Sequence, residues 1–318
     1  MSFSKSDINL DVQKETEKIV SQLKDDVVKK LKKRGAVVGI SGGIDSSVTL
    51  GLCVRAFGPN RVVGIMMPEH DSNPDSLELA TELANKLGVE YIVENMSDAL
   101  AGFKCYERRD EAIKRVFPEF TEEYKAKITL STDILDKDTL NLFYLNVISP
   151  SGEEKMERIP VKEYLQIVAA SNFKQRSRMS MLYYHAESRN YAVIGTGNKN
   201  EHEQGFFVKY GDGGADVKPI AHLFKTQVFQ LGEYIDMPDE IQNRVPTTDT
   251  YSAEQTQEEF FFRLPFEILD TIWYGWEKGV SSVEIAKALE IQPEQVDNVI
   301  HDIKRKIAAT EYLRMNPL

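Results

Sequence analysis

Ala36-Val-Val-Gly-Ile-Ser-Gly-Gly-Ile-Asp-Ser-Ser47 decides the fold. The apolar, β-branched start of this stretch has the composition of a buried strand, and Val48 to Phe57 continues it with a helical pattern. The glycines therefore fall at the turn between a strand and a helix N-terminus. Such a turn binds anions, because Gly42 and Gly43 let the backbone approach a phosphate and the first-turn N–H groups point at it. A Walker loop would end in Gly-Lys-Ser/Thr to place an ammonium on the outer phosphates, whereas this loop carries Asp45-Ser46. A carboxylate there repels phosphate unless a divalent cation stands between them. Asp45 is accordingly read as a Mg²⁺ ligand, with Ser41, Ser46 and Ser47 as hydroxyl donors to phosphate oxygens. A strand-to-helix turn capped by Ser and Asp would have a similar composition.

Working outward, residues 10–33 have apolar side chains at helical spacing, ending in a basic cluster before Gly35. After the loop and its helix come a second buried strand (62–67), a helix capped by Asn73-Pro74 and closed by Gly88, and a third strand (89–93). This β-α-β-α-β alternation calls for a parallel sheet with its ligand at the strands' carboxyl ends. Between 98 and 170 the pattern loosens into charged amphipathic pieces and a β-hairpin around Pro150-Ser-Gly152, read as surface elaboration in preference to a cover or an interface. A helix over 172–189 and a strand at 191–195 follow. In that helix Lys174 and Arg178 share a face and Arg176 lies opposite.

The 318 residues, 42% hydrophobic, suffice for one large α/β core, and there is neither a membrane-length apolar run nor a signal-peptide pattern, so the expected location is cytoplasmic. A net charge of −11 argues against nucleic-acid and membrane partners. Two cysteines without a Cys-x-x-Cys pair and five histidines without ligand spacing argue against a zinc site.

Ser41-Gly-Gly-Ile-Asp-Ser46 resembles the PP-loop of the ATP pyrophosphatases, which split ATP into AMP and pyrophosphate. With it stand Lys174-Gln-Arg-Ser-Arg-Met179, Gly195-Thr-Gly-Asn-Lys-Asn-Glu201, Gly205-Phe-Phe-Val-Lys-Tyr-Gly-Asp-Gly-Gly-Ala-Asp216 and Pro246-Thr-Thr-Asp249. The ordered set resembles the ammonia-dependent NAD⁺ synthetase family over roughly residues 10–97 and 171–275. The resemblance implies an α/β fold, a doubly wound parallel sheet of the adenine nucleotide alpha-hydrolase type. That domain would span 1–275 with an insertion at about 98–170, followed by a helical extension over 276–318. It implies ATP- and Mg²⁺-dependent amidation of deamido-NAD⁺ with ammonia, through an acyl adenylate, in a homodimer.

Position by position, the resemblance puts ATP on Gly39, Ile40, Ser41, Gly42, Gly43, Ile44, Asp45, Ser46, Thr196, Lys225 and Thr247. Mg²⁺ falls on Asp45 and Glu201, and deamido-NAD⁺ on Arg176, Lys209 and Asp216. Asp45 and Lys225 carry the catalytic roles. A His-Lys pair that many members use on the substrate is missing near the C-terminus, where Lys304-Arg-Lys306 is the nearest basic candidate. Ammonia would arrive free or from a separate supplying protein, since no amidase domain is present. Two rivals are a PP-loop enzyme adenylylating another carboxylate or carbonyl and a helix-turn-helix DNA-binding regulator over 281–299. The latter's second helix starts Pro293-Glu-Gln-Val-Asp, acidic where DNA contacts need donors.

Overall fold

The computed structural model describes residues 3–130, 143–248 and 251–316. Asp249 of the fifth motif and residues 140–142 of the expected hairpin lie outside them. Four parallel strands form the central sheet: β1 (Ala36–Gly39), β2 (Val62–Met66), β3 (Glu90–Val93) and β7 (Ala192–Ile194), in the order β3-β2-β1-β7. The chain moves outward from β1 through β3 and then returns to the other side of β1. The strand order thus reverses at β1, whose carboxyl end is where an open sheet of this kind opens a crevice.

Period-two alternation in β1 and β2 assigns the two faces. Ala36, Val38, Val62 and Met66 pack into the larger core with α1 (Val12–Lys24), α2 (Ile44–Phe57), α3 (Pro74–Leu87) and α8 (Lys225–Tyr234). Val37, Val63, Ile65 and Val193 face the other way, onto Leu182, Tyr183 and Ala186 of α6 (Val161–Arg189). Asn73 caps α3 through the Asp75 amide, and Gly88 ends it in the left-handed region, as the sequence predicts. The N-terminal helix ends differently from its expectation. Its last turn, Asp25–Lys30, widens to π form, and Lys32 at φ 58° ends it three residues before Gly35. Gly35 serves packing instead, since a Cβ there would lie 2.3 Å from the Arg61 carbonyl.

The insertion contains α4 (Ser97–Gly102), α5 (Cys105–Lys114) and an antiparallel sheet of β4 (Lys125–Leu130), β5 (Phe143–Ile148) and β6 (Glu154–Arg158). The expected hairpin is β5–β6, and β4 adds a third strand through Ala126–Val147 and Ile128–Leu145 pairs. Helix α6 begins at Val161, eleven residues before the expected start at 172, so what reads as loose insertion is its first three turns. Pro160 precedes it as the N-cap in extended conformation, φ −66° and ψ 149°, which its ring-fixed φ allows.

After β7 come α7 (Lys199–Gln204), α8 and α9 (Asp239–Gln242), then α10 (Phe266–Glu277), α11 (Ser282–Leu289), α12 (Pro293–Ala309) and α13 (Glu311–Arg314). Helices α10 to α12 share a second core around Trp273, Ile285, Val296 and Ile303. The helix pair over 281–299 is packed structure within that core. No described helix is long and apolar enough to cross a membrane.

Candidate functional site

The loop between β1 and α2 is built from its own side chains. Ser41 N–H donates to Ser46 Oγ at 3.2 Å, and the hydroxyls of Ser46 and Ser47 both donate to the Gly43 carbonyl, at 3.0 and 2.9 Å. Ser47 is fully buried and, unlike Ser46, does not line the cavity beside this loop, so its hydroxyl supports the turn. Gly42 has φ 71°, and a Cβ on it would come 2.7 Å from the Ser76 carbonyl, so both backbone freedom and space demand glycine here.

Asp45 opens the first turn of α2, where Lys225 Nζ touches its carboxylate directly and Asn198 Nδ2 donates to it at 2.9 Å. Asn198 is fully buried and also holds Glu201: its backbone N–H donates to Glu201 Oε2 at 3.1 Å, while its side-chain oxygen accepts the Glu201 N–H at 3.1 Å. One asparagine therefore fixes both acidic groups. Burial and the nearby Asp45 charge push the Glu201 carboxyl up to about 8. Two carboxyl groups held by one asparagine beside a phosphate loop form a donor set that fits Mg²⁺. That ion commonly takes one or two carboxylates and completes its shell with phosphate oxygens and water. No cluster of three or more His, Cys, Asp or Glu groups suited to a metal occurs among the described residues.

Lys225 is 1% exposed at the first position of α8, and its placement has a fully buried support. Asn200 Oδ1 accepts the Lys225 N–H at 3.0 Å while Asn200 Nδ2 donates to Asp270 Oδ1, and Asp270 Oδ2 accepts the Thr226 N–H at 2.9 Å. Burial pushes the Asp270 carboxyl up to about 6 against these donors.

Asp45, Glu201 and Lys225 share a cavity of about 950 Å³. Of the residues expected on ATP, it is lined by Gly39, Ile40, Ser41, Gly43, Ile44, Asp45, Ser46, Thr196, Lys225 and Thr247, together with Glu201. Gly42 contributes backbone shape from behind. Arg176 and Lys209 line the same cavity, and Arg176 Nε donates to the Lys209 carbonyl at 3.2 Å. The Lys209 ammonium rests on the carbonyls of Tyr312 and Met315, at 3.1 and 2.9 Å, so the C-terminal segment closes over the glycine-rich loop. Asp216 stands just outside the lining. It accepts the Val193 N–H at 2.8 Å and the Tyr183 hydroxyl at 3.1 Å, and burial with the Asp216 charge pushes that phenol up to about 12.

Lys174 and Arg178 part company despite their shared face. Lys174 is 2% exposed and bonds Glu69 at 3.1 Å and Asp71 at 2.6 Å, whereas Arg178 reaches the Met67 carbonyl at 3.1 Å and lines the cavity beside Arg176. Lys306, the innermost of the three C-terminal basic residues, pairs with Asp302 at 2.8 Å and donates to the Phe261 carbonyl. Two further groups escape the sequence reading. Arg244 lines the cavity above the phosphate loop, bonding Ser76 Oγ at 2.9 Å and Gly42 O at 3.4 Å. Gln257 Nε2 donates to Glu201 Oε1 at 3.3 Å. Both come from sequence-distant loops without a local signature, though an arginine two residues before Pro246-Thr247 could have been weighed as a phosphate ligand.

The NAD synthase family model matches residues 15–133 and 137–317. An NH₃-dependent NAD⁺ synthetase of Mesorhizobium japonicum is 46% identical over 309 residues, covering 97% of each chain. One from Rhizobium meliloti is 45% identical over 99% of this chain and 94% of its own. Among solved structures, NH₃-dependent NAD synthetase from Campylobacter jejuni with a bound nitrate ion superposes with TM-score 0.62. It is 24% identical, with 97% of this chain and 99% of that one covered. NMN synthetase from Francisella tularensis gives 0.66 at 23% identity with 98% of both covered. At such identities these two structures speak for the fold.

Proposed function

The chain belongs to the NAD synthase family and is a ligase that forms a carbon–nitrogen bond, and from that premise we propose how its cavity makes NAD⁺. The function is ATP-dependent amidation of deamido-NAD⁺ with ammonia. Our reading gives ATP the β1–α2 loop with Thr196, Lys225 and Thr247, gives the acceptor Arg176, Lys209 and Asp216, and gives Mg²⁺ Asp45 and Glu201. The observation that carries it is the Asp45 carboxylate at the tip of a lysine-free phosphate loop, held by Lys225 and Asn198 and facing Glu201.

A nicotinate carboxylate is a poor electrophile because its carbonyl carbon carries an oxyanion. Its oxygen attacks the α-phosphorus of ATP, the bond to the bridging oxygen breaks, and pyrophosphate leaves. Ammonia then adds to the acyl carbon and AMP departs with the former carboxylate oxygen. Loop N–H groups and the Ser41 and Ser46 hydroxyls orient the phosphates, while Lys225 offers a fixed cation where negative charge develops. Arg244 stands over the loop, where a guanidinium can hold the departing pyrophosphate. Mg²⁺, when bound, supplies charge neutralisation of the triphosphate. No protein nucleophile is needed, since the adenylate is itself the activated species.

We further propose a cytoplasmic homodimer. In its support, Tyr91 and Val93 on the edge strand β3 and Tyr184 on α6 are exposed, apolar and aromatic surface that a second copy can cover. Incubation with ATP, Mg²⁺, ammonium and deamido-NAD⁺ tests the reaction: NAD⁺ and AMP should appear in equal amounts. ADP would refute the scheme.

A further inference from the structure

The inserted sheet forms one end of the cavity. Phe143 of β5 and Tyr164 of α6 stack there, with ring centroids 4.3 Å apart and planes at 29°, and both line the cavity. Tyr251 and Phe260 line it alongside, edge to face at 5.6 Å. These last two belong to a loop that β4 holds. Ala253 N–H donates to the Ala126 carbonyl at 3.2 Å, Ala126 N–H to Ser252 Oγ at 2.9 Å, and Gln255 Nε2 to the Ile128 carbonyl at 2.7 Å. Lys127 adds an ion pair to Glu259 at 2.9 Å. The same loop carries Gln257, whose amide reaches Glu201 three residues before Phe260. The segment that carries Tyr251 and Phe260 thus also reaches Glu201, and the wall and Glu201 line one cavity.

We propose that this wall, built by the insertion, receives the pyridine ring of the acceptor and selects it by its charge. This rests on the functional reading above. The ring of deamido-NAD⁺ is an N-ribosylated pyridinium, flat and formally cationic, whereas the adenine of ATP is neutral. Faces of Phe and Tyr attract a cation, and the four side chains of the wall carry no charge that would compete for it. The wall is also continuous with the acceptor side of α6: Tyr164 and Arg176 lie twelve residues apart on that helix, about 18 Å along its axis. A ring at one end and phosphate or ribose groups near Arg176 at the other suit a long acceptor.

The experiment is steady-state kinetics on the full chain with Phe143→Leu and Tyr164→Leu, which keep bulk and remove the π face, after thermal melting has shown each variant folded. Two variants on different elements guard against one that fails to fold. The KM for deamido-NAD⁺ should rise about 5- to 20-fold, with the KM for ATP within about twofold. As a second readout, the dihydro form of deamido-NAD, whose ring is uncharged, should inhibit the wild type more weakly than deamido-NAD⁺ binds, and that preference should shrink in both variants. Equal changes for both substrates, a change for ATP alone, or no change overturns the proposal. A wild type that makes no NAD⁺ from these substrates fails the functional reading first, and removes the proposal with it.

Discussion

Lys225 Nζ lies directly against the Asp45 carboxylate, although 180 residues separate them in the chain. The lysine side chain is 1% exposed and the aspartate 15%, so the pair sits in a poorly solvated pocket where each charge depends on the other. Lys225→Met should leave Asp45 and Glu201 unopposed and remove the fixed cation. Pyrophosphate release at saturating substrates should fall about 10²- to 10³-fold. Asp45→Asn should also abolish release while circular dichroism stays unchanged. Full turnover in either variant would displace the site.

Arg244 bonds a hydroxyl and a carbonyl rather than a carboxylate, which leaves its charge available to phosphate. Arg244→Ala should raise the KM for ATP about tenfold, near 1.4 kcal/mol. The KM for deamido-NAD⁺ should stay within about twofold, and product inhibition by pyrophosphate should weaken in parallel. An effect on the acceptor alone would place the guanidinium on the other substrate.

Asp270 takes two donors at full burial and so fixes Asn200, which in turn fixes the start of α8. Asp270→Ala strands the Thr226 N–H and the Asn200 amide, a loss of about 2–4 kcal/mol in denaturant unfolding. Asn200→Ala should cost a similar amount, and the double variant should lose less than the sum because both break one network.

Asp71 supplies a pH test. Burial alone would raise its carboxyl, but Lys174 and Arg109 outweigh that and hold it near about 2. A carboxyl depressed in the folded state stabilises above its unfolded value and loses that contribution as pH falls toward the folded one. Stability worth about 2–3 kcal/mol should therefore disappear between about pH 4 and pH 2. Asp71→Asn should be less stable at neutral pH, with a flatter acid-unfolding curve across that window.

Local chemistry made much of this legible in the sequence. The β-branched run before Gly39, the Asn73-Pro74 cap and Gly88 fix β1, α2 and α3 because each signal acts within a few residues. The start of α6 was illegible for the opposite reason: it buries Glu163 in an ion pair with Arg115, 48 residues away in the chain, so a polar position interrupts its apolar stripe. β4 carries a readable alternation, Lys125-Ala-Lys-Ile-Thr-Leu130, whose buried members are Ala126, Ile128 and Leu130. At the site, the phosphate loop was plain from composition. Arg244 and Gln257 were not, because their partners lie 202 and 56 residues away and only the folded chain brings them near.

The most direct measurement follows the oxygen. Deamido-NAD⁺ labelled with ¹⁸O in its carboxylate is turned over with ATP, Mg²⁺ and ammonium, and the products are weighed by mass spectrometry. One label per turnover should move into the phosphate of AMP, because that oxygen bonds to the α-phosphorus before it leaves the carbon. AMP without label, or label carried into inorganic phosphate beside ADP, would contradict the adenylate and the role given to Asp45.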